Sequence, residues 1–304
     1  MSDNFVSYVN MGHMGRLGNQ IFQYAALISL ADRLECVPLI NYNKVNFAPP
    51  DPLHKLVIHE CFDLSITPEK NHIDKFVQKH FSGKVQLNNW NEPCHQYSSQ
   101  FEQLGPMTNI HGYLQDEKYF RDKSELVRSE LKFKEEFETN ANNILEERPN
   151  TELVSLHIRR TDYLKYSNVH PQPGIDYFKS CMKQFGPDTT FVVFSDDITW
   201  CKEQFSGDNI WFQENDHFTD LCLMTKCDHH IIANSSFSWW GAWLCTNTDK
   251  KVFYPSVWFG KQSHLQHRNG AGENSMCPPE WNCIDIEDKT VPLASYQPDP
   301  TIGS

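Results

Sequence analysis

The 304-residue sequence lacks any apolar run long enough to cross a membrane, because its longest candidates are interrupted by Asn, Asp or Lys. Its first residues show no basic segment followed by a long apolar stretch. We therefore expect no export signal, no membrane span and a soluble, cytoplasmic protein. The net charge of −12 at pH 7 argues against a nucleic-acid partner, since the phosphate backbone requires a basic surface. A local basic pocket is still compatible with this net charge.

Metal-ligand spacing and nucleotide fingerprints are missing as well. The ten cysteines are scattered without a Cys-x-x-Cys pair, which predicts reduced, mostly buried thiols rather than a zinc site. The glycine-rich stretch GHMGRLGNQ (12–20) matches neither Gly-x-Gly-x-x-Gly nor the P-loop ending in Gly-Lys-Ser/Thr. The acidic pair Asp196-Asp197 lacks the Asp-x-Asp spacing of metal-dependent sugar-nucleotide enzymes. We therefore expect no metal site.

The sequence does contain a regular alternation of apolar strands and amphipathic helices. A strand, a glycine loop, a helix and a strand over the first 42 residues begin a βαβ layer. From LVSLHI (153–158) to KVFYP (251–255), five apolar strands alternate with helices, which predicts a parallel sheet covered on both faces. We predict two α/β domains in series, at 1–148 and 149–287, and a proline-rich tail at 288–304.

The motif HIRRTD (157–162) puts two arginines where an apolar strand ends near Ile158. The carboxyl edge of a parallel sheet is where such folds bind ligands, and a planar, always charged guanidinium suits a pyrophosphate. Adjacent strand residues point to opposite faces, so we expect Arg159 to reach the ligand. The other arginine, Arg160, would order the loop by pairing with a carboxylate such as Asp162. A surface ion-pair cluster is the alternative interpretation.

The stretch ANSSFSWWG (233–241) places small polar residues between a strand and a helix. Hydroxyls and free N–H groups at a helix N-terminus form an anion site, whereas helix capping with tryptophans in the core is the simpler alternative. In the glycine loop, Arg16, Asn19 and Gln20 are expected to be exposed, and Asn19 and Gln20 could hydrogen-bond a sugar, unless the glycines only permit a tight turn. Asp196 and Asp197, after the strand FVVFS, predict ribose or base contact or helix capping.

Together with GYLQDEKYF (112–120), these motifs resemble the α-1,2-fucosyltransferases of glycosyltransferase family 11, in the family's order from about residue 8 to 260. The resemblance implies a GT-B-like α/β fold of two Rossmann-like parallel-sheet domains facing a cleft. The N-terminal domain would lie on the acceptor side, and the C-terminal domain would bind GDP-β-L-fucose. The implied enzyme is an inverting galactoside α-1,2-fucosyltransferase. Its partners are GDP-fucose as co-substrate and a galactose-containing glycan, with no metal or other cofactor.

The resemblance also assigns roles to residues. It places Arg159 on the pyrophosphate, with His157 and Asp162 as the other catalytic candidates of the motif. The implied donor-binding residues are Arg159, Arg160, Asp196, Asn234, Ser235, Ser236, Ser238 and Trp239. The implied loop at the reaction centre contains Gly15, Arg16, Gly18, Asn19 and Gln20. The general base is left open among His13, Asp116, His157 and Asp162.

Two other functions fit the same motifs. A transferase of the protein O-fucosyltransferase kind has similar His-x-Arg-Arg motifs, although the block ending in NSSFSWW disfavours it. A non-catalytic glycan-binding protein of the same fold would bind acceptor without transferring a sugar to it.

Overall fold

A computed structural model describes residues 4–41, 55–67, 69–81, 85–147 and 151–287. Contacts divide the chain into two units, Met1–Lys134 and Glu135–Ser304. The sequence predicts the division after residue 148, whereas the contacts place it before helix α5 (Glu135–Glu146). This helix packs on a later helix of the second unit, through the rings of Phe137 and Phe218 at 5.1 Å. The predicted tail at 288–304 lies outside the described residues.

The first unit is built on a four-stranded sheet whose neighbouring strands all pair in parallel, in the order β2-β1-β4-β3. Its strands are β1 (Phe5–Tyr8), β2 (Val37–Ile40), β3 (Asn88–Asn91) and β4 (Thr108–His111). Its helices are α1 (Leu17–Arg33), α2 (Ile58–Cys61), α3 (Ile73–His80) and α4 (Ser124–Glu130). Helix α1 is almost entirely buried, and Phe5, Leu39, Ile73 and Phe76 form the core between the sheet and α3.

The second unit contains six parallel strands in the order β10-β9-β8-β5-β6-β7. They are β5 (Glu152–Ile158), β6 (Thr189–Ser195), β7 (Ile210–Phe212), β8 (His229–Ile231), β9 (Val252–Pro255) and β10 (Asn282–Ile284). The helices are α5 (Glu135–Glu146), α6 (Thr161–Lys165), α7 (Ile175–Met182), α8 (Ile198–Gln204), α9 (His217–Thr225) and α10 (Ser236–Leu244).

The predicted α/β fold with two parallel sheets is confirmed, and the five predicted apolar strands of the second sheet are present as β5 to β9. Strand β10 is a sixth strand that the apolar pattern does not reveal, because it is a short, partly exposed edge strand. Beside the sheet, α10 carries a tryptophan cluster in which Trp240 lies 4.9 Å from Trp239 and 5.2 Å from Trp243. Trp281 joins the cluster 5.4 Å from Trp239.

Two further properties of the sequence have a structural counterpart. The ten cysteines all lie in described residues as free thiols, and seven of them are buried. In the part of the chain that the structure describes, no helix has the length and apolar character needed to cross a membrane.

Candidate active site

Three loops converge at the carboxyl edge of the six-stranded sheet, because each follows one of the neighbouring strands β8, β5 and β6. The Tyr163 hydroxyl, after β5, donates a hydrogen bond of 3.0 Å to the carbonyl of Asn234, after β8. The rings of His157 and Phe237 lie 5.6 Å apart across the same two loops. On the other side, the amide of Arg160 donates to Asp196 Oδ1, after β6, at 2.8 Å. The motifs HIRRTD, SDD and NSSFSWW therefore lie together at one edge.

Arg159 is a fixed cation at this edge. Its Nε and Nη2 each donate to one carboxylate oxygen of Asp162 at 2.8 Å, and Nε lies 3.3 Å from Asp196 Oδ2. Burial disfavours the charge, but the hydrogen bond to Asp162 and the two carboxylates outweigh it and raise the pKa of Arg159. Nη1 makes no hydrogen bond to the described residues, and the side chain is 20 % exposed. Arg159 can therefore contact a ligand while it is held in place.

Arg160 has different partners. Its Nε donates to Asp197 Oδ2 at 3.0 Å, and its guanidinium carbon lies 3.8 Å from the centre of the Trp200 ring. Gln172 bridges the side chain and the carbonyl of Arg160, at 3.3 and 3.0 Å. Arg160 therefore pairs with a carboxylate as expected, but its partner is Asp197 and not Asp162. Because helix α6 begins at residue 161, Asp162 lies about one turn after Arg159 and forms its ion pair with Arg159.

Asp196 orders the loop that carries both arginines. Its carboxylate accepts hydrogen bonds from the amide of Arg160 and from both the amide and the hydroxyl of Thr161. Its neighbour Asp197 begins helix α8 as its N-cap and accepts the Trp200 amide at 3.2 Å, as the capping interpretation predicts. Asp196 thus fixes the backbone below the exposed face of the site.

The NSSFSWW residues form the turn before α10, and most of them face the interior. The side chain of Asn234 is 1 % exposed and donates to the carbonyls of Pro171 and Trp258 at 2.8 and 2.9 Å. Ser238 and Trp239 are equally buried and donate to carbonyls of Ser235 and Met276. These predicted donor-binding side chains therefore hold the turn from inside.

The start of α10 remains the accessible part of this turn. Ser235 is the N-cap, and its hydroxyl accepts a hydrogen bond from the Phe237 amide at 3.3 Å. Ser236, the first residue of the helix, is half-buried. The N-terminus of a nine-residue helix presents amide donors and the positive end of the helix dipole to this edge.

His157 lies behind the arginine and is neutral. Burial, followed by the charge of Arg159, lowers the pKa of His157 to about 3. Its Nδ1 is buried and has no hydrogen-bond partner among the described residues. An imidazole of such low pKa adds no positive charge at neutral pH and is a weak base.

Several side chains at this edge are not identified by any sequence motif. Tyr163 stacks on His170 with ring centroids 4.8 Å apart, and Phe259 lies 6.3 Å from the same imidazole. Burial lowers the pKa of His170 to about 4, so this ring is neutral as well. Gln172 and Trp200 enclose Arg160. Only Tyr163 is close enough in sequence to the arginines for the sequence to suggest a contact.

In the first unit, the glycine loop leads into helix α1. Gly15 has φ = +83°, and a Cβ there would lie 1.8 Å from the side-chain nitrogen of Asn19, so this turn needs glycine. Gln20 was expected to be exposed, but it is completely buried. Its side-chain nitrogen donates to the carbonyls of Gly15 and Lys55. Its side-chain oxygen accepts hydrogen bonds from the backbone N–H groups of residues 57 and 58.

The other residues of this loop differ in accessibility. Gly18 is buried within the first turn of α1, whereas Arg16 and Asn19 are half-buried. The carbonyl oxygen of the Asn19 side chain accepts a hydrogen bond from Gln115 at 2.6 Å, which ties the loop to the GYLQ motif. Within 4–41, 55–67, 69–81, 85–147 and 151–287, no three His, Cys, Asp or Glu side chains are grouped so that they could hold a metal ion.

Comparison with known proteins matches residues 6–284 to a family described as glycosyl transferase family 11. An Escherichia coli α-1,2-colitosyltransferase is 32 % identical over 89 % of this chain and 97 % of its own length. The galactoside α-(1,2)-fucosyltransferase 1 of Leontocebus fuscicollis is 26 % identical over 76 % of this chain and 63 % of its own. Among solved structures, POFUT1 in complex with GDP has a TM-score of 0.53 at 14 % identity, covering 83 % of this chain and 98 % of that one. This last likeness concerns the fold, which is GT-B-like.

Proposed function

The chain belongs to glycosyl transferase family 11, a fucosyltransferase family, and we propose that it transfers L-fucose from GDP-β-L-fucose to the 2-hydroxyl of a galactose-type acceptor with inversion. The α-1,2 linkage in the names of both kinds of relative supports this regiochemistry. The observation that carries the donor side of the proposal is Arg159, a guanidinium held by two carboxylates at the carboxyl end of β5, whose Nη1 makes no hydrogen bond to the described residues.

Arg159 would stabilise the leaving group. Transfer breaks the bond between fucose C1 and the phosphate oxygen, so negative charge grows on GDP while the sugar gains oxocarbenium character. A guanidinium on the pyrophosphate stabilises the transition state more than the ground state, because this charge is largest there. The amides at the start of α10, beside Ser235 and Ser236, would add further donors. We propose that these groups supply the positive charge, so that the reaction proceeds without a metal ion.

The remaining predicted donor-site residues would position Arg159 and the amides at the start of α10. Asp196 and Arg160 hold the arginine loop, and Asp162 orients Arg159. Asn234, Ser238 and Trp239 hold the turn before α10 from the interior and would contact no donor in this conformation.

A general base would take the proton of the acceptor hydroxyl as its oxygen attacks C1. Three of the four candidates are occupied or hidden: Asp162 binds Arg159, His157 is buried with a low pKa, and Asp116 is buried and accepts the Lys118 amide. His13, in the glycine loop, is half-buried. We propose His13 as the first candidate to test.

One observation favours a second donor. The relative that is 32 % identical is an α-1,2-colitosyltransferase, so a GDP-linked colitosyl donor is the alternative to GDP-fucose. The arginine site would suit both donors equally, because it would contact the GDP group that they share.

The proposal is tested by incubating the full chain with GDP-fucose or the colitosyl donor and an array of acceptors, in excess EDTA. The array contains lactose, other β-galactosides and a folded protein domain, and products are analysed by mass spectrometry and NMR. An α-1,2-fucosylated galactoside formed in EDTA supports the proposal. A β-linked product contradicts inversion, and activity lost in EDTA but restored by Mn²⁺ contradicts metal independence. Fucosylation of the protein domain alone indicates the O-fucosyltransferase alternative, and no glycosyl product from either donor indicates a binding protein.

A further inference from the structure

The motif GYLQDEKYF has no role in the donor site, yet the structure gives it an unusual setting in the first unit. Its first residues follow β4, and the loop beside them follows the neighbouring strand β3. Asn91 and His111 are in-register partners at the ends of the two strands, and the Glu92 amide continues the pairing to the His111 carbonyl at 2.8 Å. The two loops therefore leave the sheet side by side.

A buried carboxylate joins these loops. Glu92 accepts the amide of Leu114 at 3.0 Å and the hydroxyl of Tyr119 at 3.1 Å. A Cβ on Gly112 would lie only 2.4 Å from Glu92 Cβ, so the close approach requires glycine. Burying a carboxylate is costly unless it is hydrogen-bonded, and here two donors from the motif satisfy it.

The same loops hold backbone conformations that L-residues rarely adopt. Cys94, His95 and Leu114 have φ values of +55°, +48° and +52°, three of the five positive values at non-glycine residues in the described chain. Gly112 adds a φ of +153°. Such residues cost free energy and concentrate where a fixed geometry serves a ligand.

The side chains shown at this edge are hydrogen-bonding and aromatic. Asn91 is exposed, while His95, His111 and Tyr113 are half-buried, and the rings of His95 and Tyr113 lie 5.5 Å apart. His111 also stacks on Tyr8 at 6.4 Å. Burial lowers the pKa of His111, so its imidazole is neutral at neutral pH. Amides and ring faces of this kind suit an uncharged polar ring, whereas a pyrophosphate requires the guanidinium chemistry of the second unit.

We propose that Asn91, His95, His111 and Tyr113 form a subsite that binds the galactose-type ring of the acceptor. The inference rests on the proposed function for the identity of this ring. It is supported by contacts with the glycine loop predicted to face the reaction centre. The Tyr8 hydroxyl bonds the Gly112 carbonyl at 2.5 Å and lies 3.7 Å from Met14 Sδ, and Gln115 binds Asn19. In this assignment, the motif binds acceptor while Glu92 is a positioning residue.

The test uses lactose as the acceptor probe and the full chain as protein. Tyr113→Ala is expected to raise KM for lactose about tenfold, and His111→Ala by a smaller factor, since each removes a ring from a small contact surface. KM for GDP-fucose and affinity for GDP are expected to stay unchanged. Tyr113→Phe keeps the ring and is expected to stay within about threefold of the wild type. His80→Ala is the matched control, because it removes a stacked, half-buried ring from α3 of the same unit.

Saturation-transfer NMR of lactose with the same variants separates failure of the subsite from failure of the proposed reaction, because it needs no turnover. Lactose signals with the wild type and His80→Ala that are lost with Tyr113→Ala support the subsite, whether or not fucose is transferred. Equal lactose binding by the wild type and Tyr113→Ala would overturn it. A lowered kcat with unchanged KM for lactose, or no lactose binding by the wild type, would do the same. Absence of transfer from GDP-fucose to any acceptor would overturn the proposed function alone.

Discussion

The two sheets of this protein end in edges of opposite character. At the carboxyl edge of the six-stranded sheet, Arg159 and Arg160 are each bound to a carboxylate, Asp162 or Asp197, and remain partly accessible. At the carboxyl edge of the four-stranded sheet, the accessible residues include an amide, two imidazoles and a phenol, from Asn91, His95, His111 and Tyr113. Its carboxylate, Glu92, faces inward and joins two loops.

This difference is the reason why we propose a different kind of ligand for each edge. Parallel strands bring consecutive loops to the same edge in both units, so the fold fixes where a ligand can bind. In the two assignments proposed above, the side chains on those loops select the ligand: fixed cations for an anionic group in one unit, polar and aromatic groups for a sugar in the other. The contrast predicts that substitutions at one edge affect donor parameters and substitutions at the other affect acceptor parameters.

The largest effect is expected at the charged edge. Arg159→Ala is expected to lower kcat by about 10²–10³-fold, because a single donor to developing negative charge contributes about 3–4 kcal/mol to transition-state stabilisation. Arg159→Lys keeps the charge but not the planar fork, so its kcat is expected to lie between those of the wild type and Arg159→Ala. Steady-state kinetics with GDP-fucose and lactose, together with calorimetric titration of GDP, measure the effect.

Arg121→Ala is the control for this variant, because Arg121 is an exposed arginine of the first unit paired with Glu117. Its kinetics are expected to match the wild type. If Arg159→Ala transfers sugar at nearly the wild-type rate, or changes only KM for lactose, the assignment of the charged edge to the donor is wrong.

A smaller effect is expected at the neutral edge. Gly112→Ala is expected to lower the free energy of unfolding by about 3 kcal/mol, because the added Cβ meets Glu92 and the positive φ is strained. KM for lactose should rise together with this loss, while GDP affinity is retained. Gly105→Ala in the same unit places its Cβ in open space and should change stability by less than about 1 kcal/mol. If Gly112→Ala and Gly105→Ala had the same free energy of unfolding, the close approach of residue 112 to Glu92 would not be what holds the two loops together.

The smallest effect concerns the pH dependence of stability. It tests whether a buried histidine of the second sheet makes the free energy of unfolding depend on protonation. His230 is buried in β8, its Nδ1 lies 3.0 Å from the Ser155 hydroxyl, and burial lowers its pKa to about 3. Below pH 6.5 the unfolded chain binds a proton at this residue while the folded chain does not, so the free energy of unfolding decreases as pH falls. Between pH 7 and 5.5 this residue accounts for a loss of about 1 kcal/mol.

Urea unfolding followed by circular dichroism, for the wild type and His230→Asn at both pH values, measures that contribution. The variant is expected to lose about 1 kcal/mol less than the wild type. The difference between them is the relevant quantity, because Asp220 acts in the opposite direction. Burial raises the pKa of Asp220 to about 7, so its folded state gains a proton as pH falls. The same pH dependence in both proteins would contradict a depressed pKa at His230.

The sequence predicts the charged edge well and the neutral edge poorly, for physical reasons. Strand β5 is an apolar run buried on both faces, so its end, and hence the position of Arg159, is visible in the sequence. Strand β3 has the sequence NNWN with only Trp90 buried, and no alternation or apolar run reveals it. The residues that follow it could therefore not be placed beside those that follow β4.

Side-chain direction is the other property that the sequence does not contain. Gln20 and Asn234 are polar residues in loops with functional motifs, which suggests exposure, yet both bind backbone groups in the interior. The partners of Asn234 lie 24 and 63 residues away, and three of the four partners of Gln20 lie 35 to 38 residues away. Local patterns cannot predict contacts over such separations, and buried polar groups need them.

The tryptophan cluster on α10 has a consequence for optical spectroscopy. Seven of the eight tryptophans follow Lys134 in the sequence, and Trp90 is the exception. Trp200 lies against Arg160, and Trp239, Trp240 and Trp243 pack together in the helix that follows the turn carrying Ser235. Intrinsic fluorescence therefore reports almost entirely on the second unit. A quenching titration with GDP would therefore follow the charged edge without a label, and Trp90, two residues before Glu92, is the one tryptophan of the first unit.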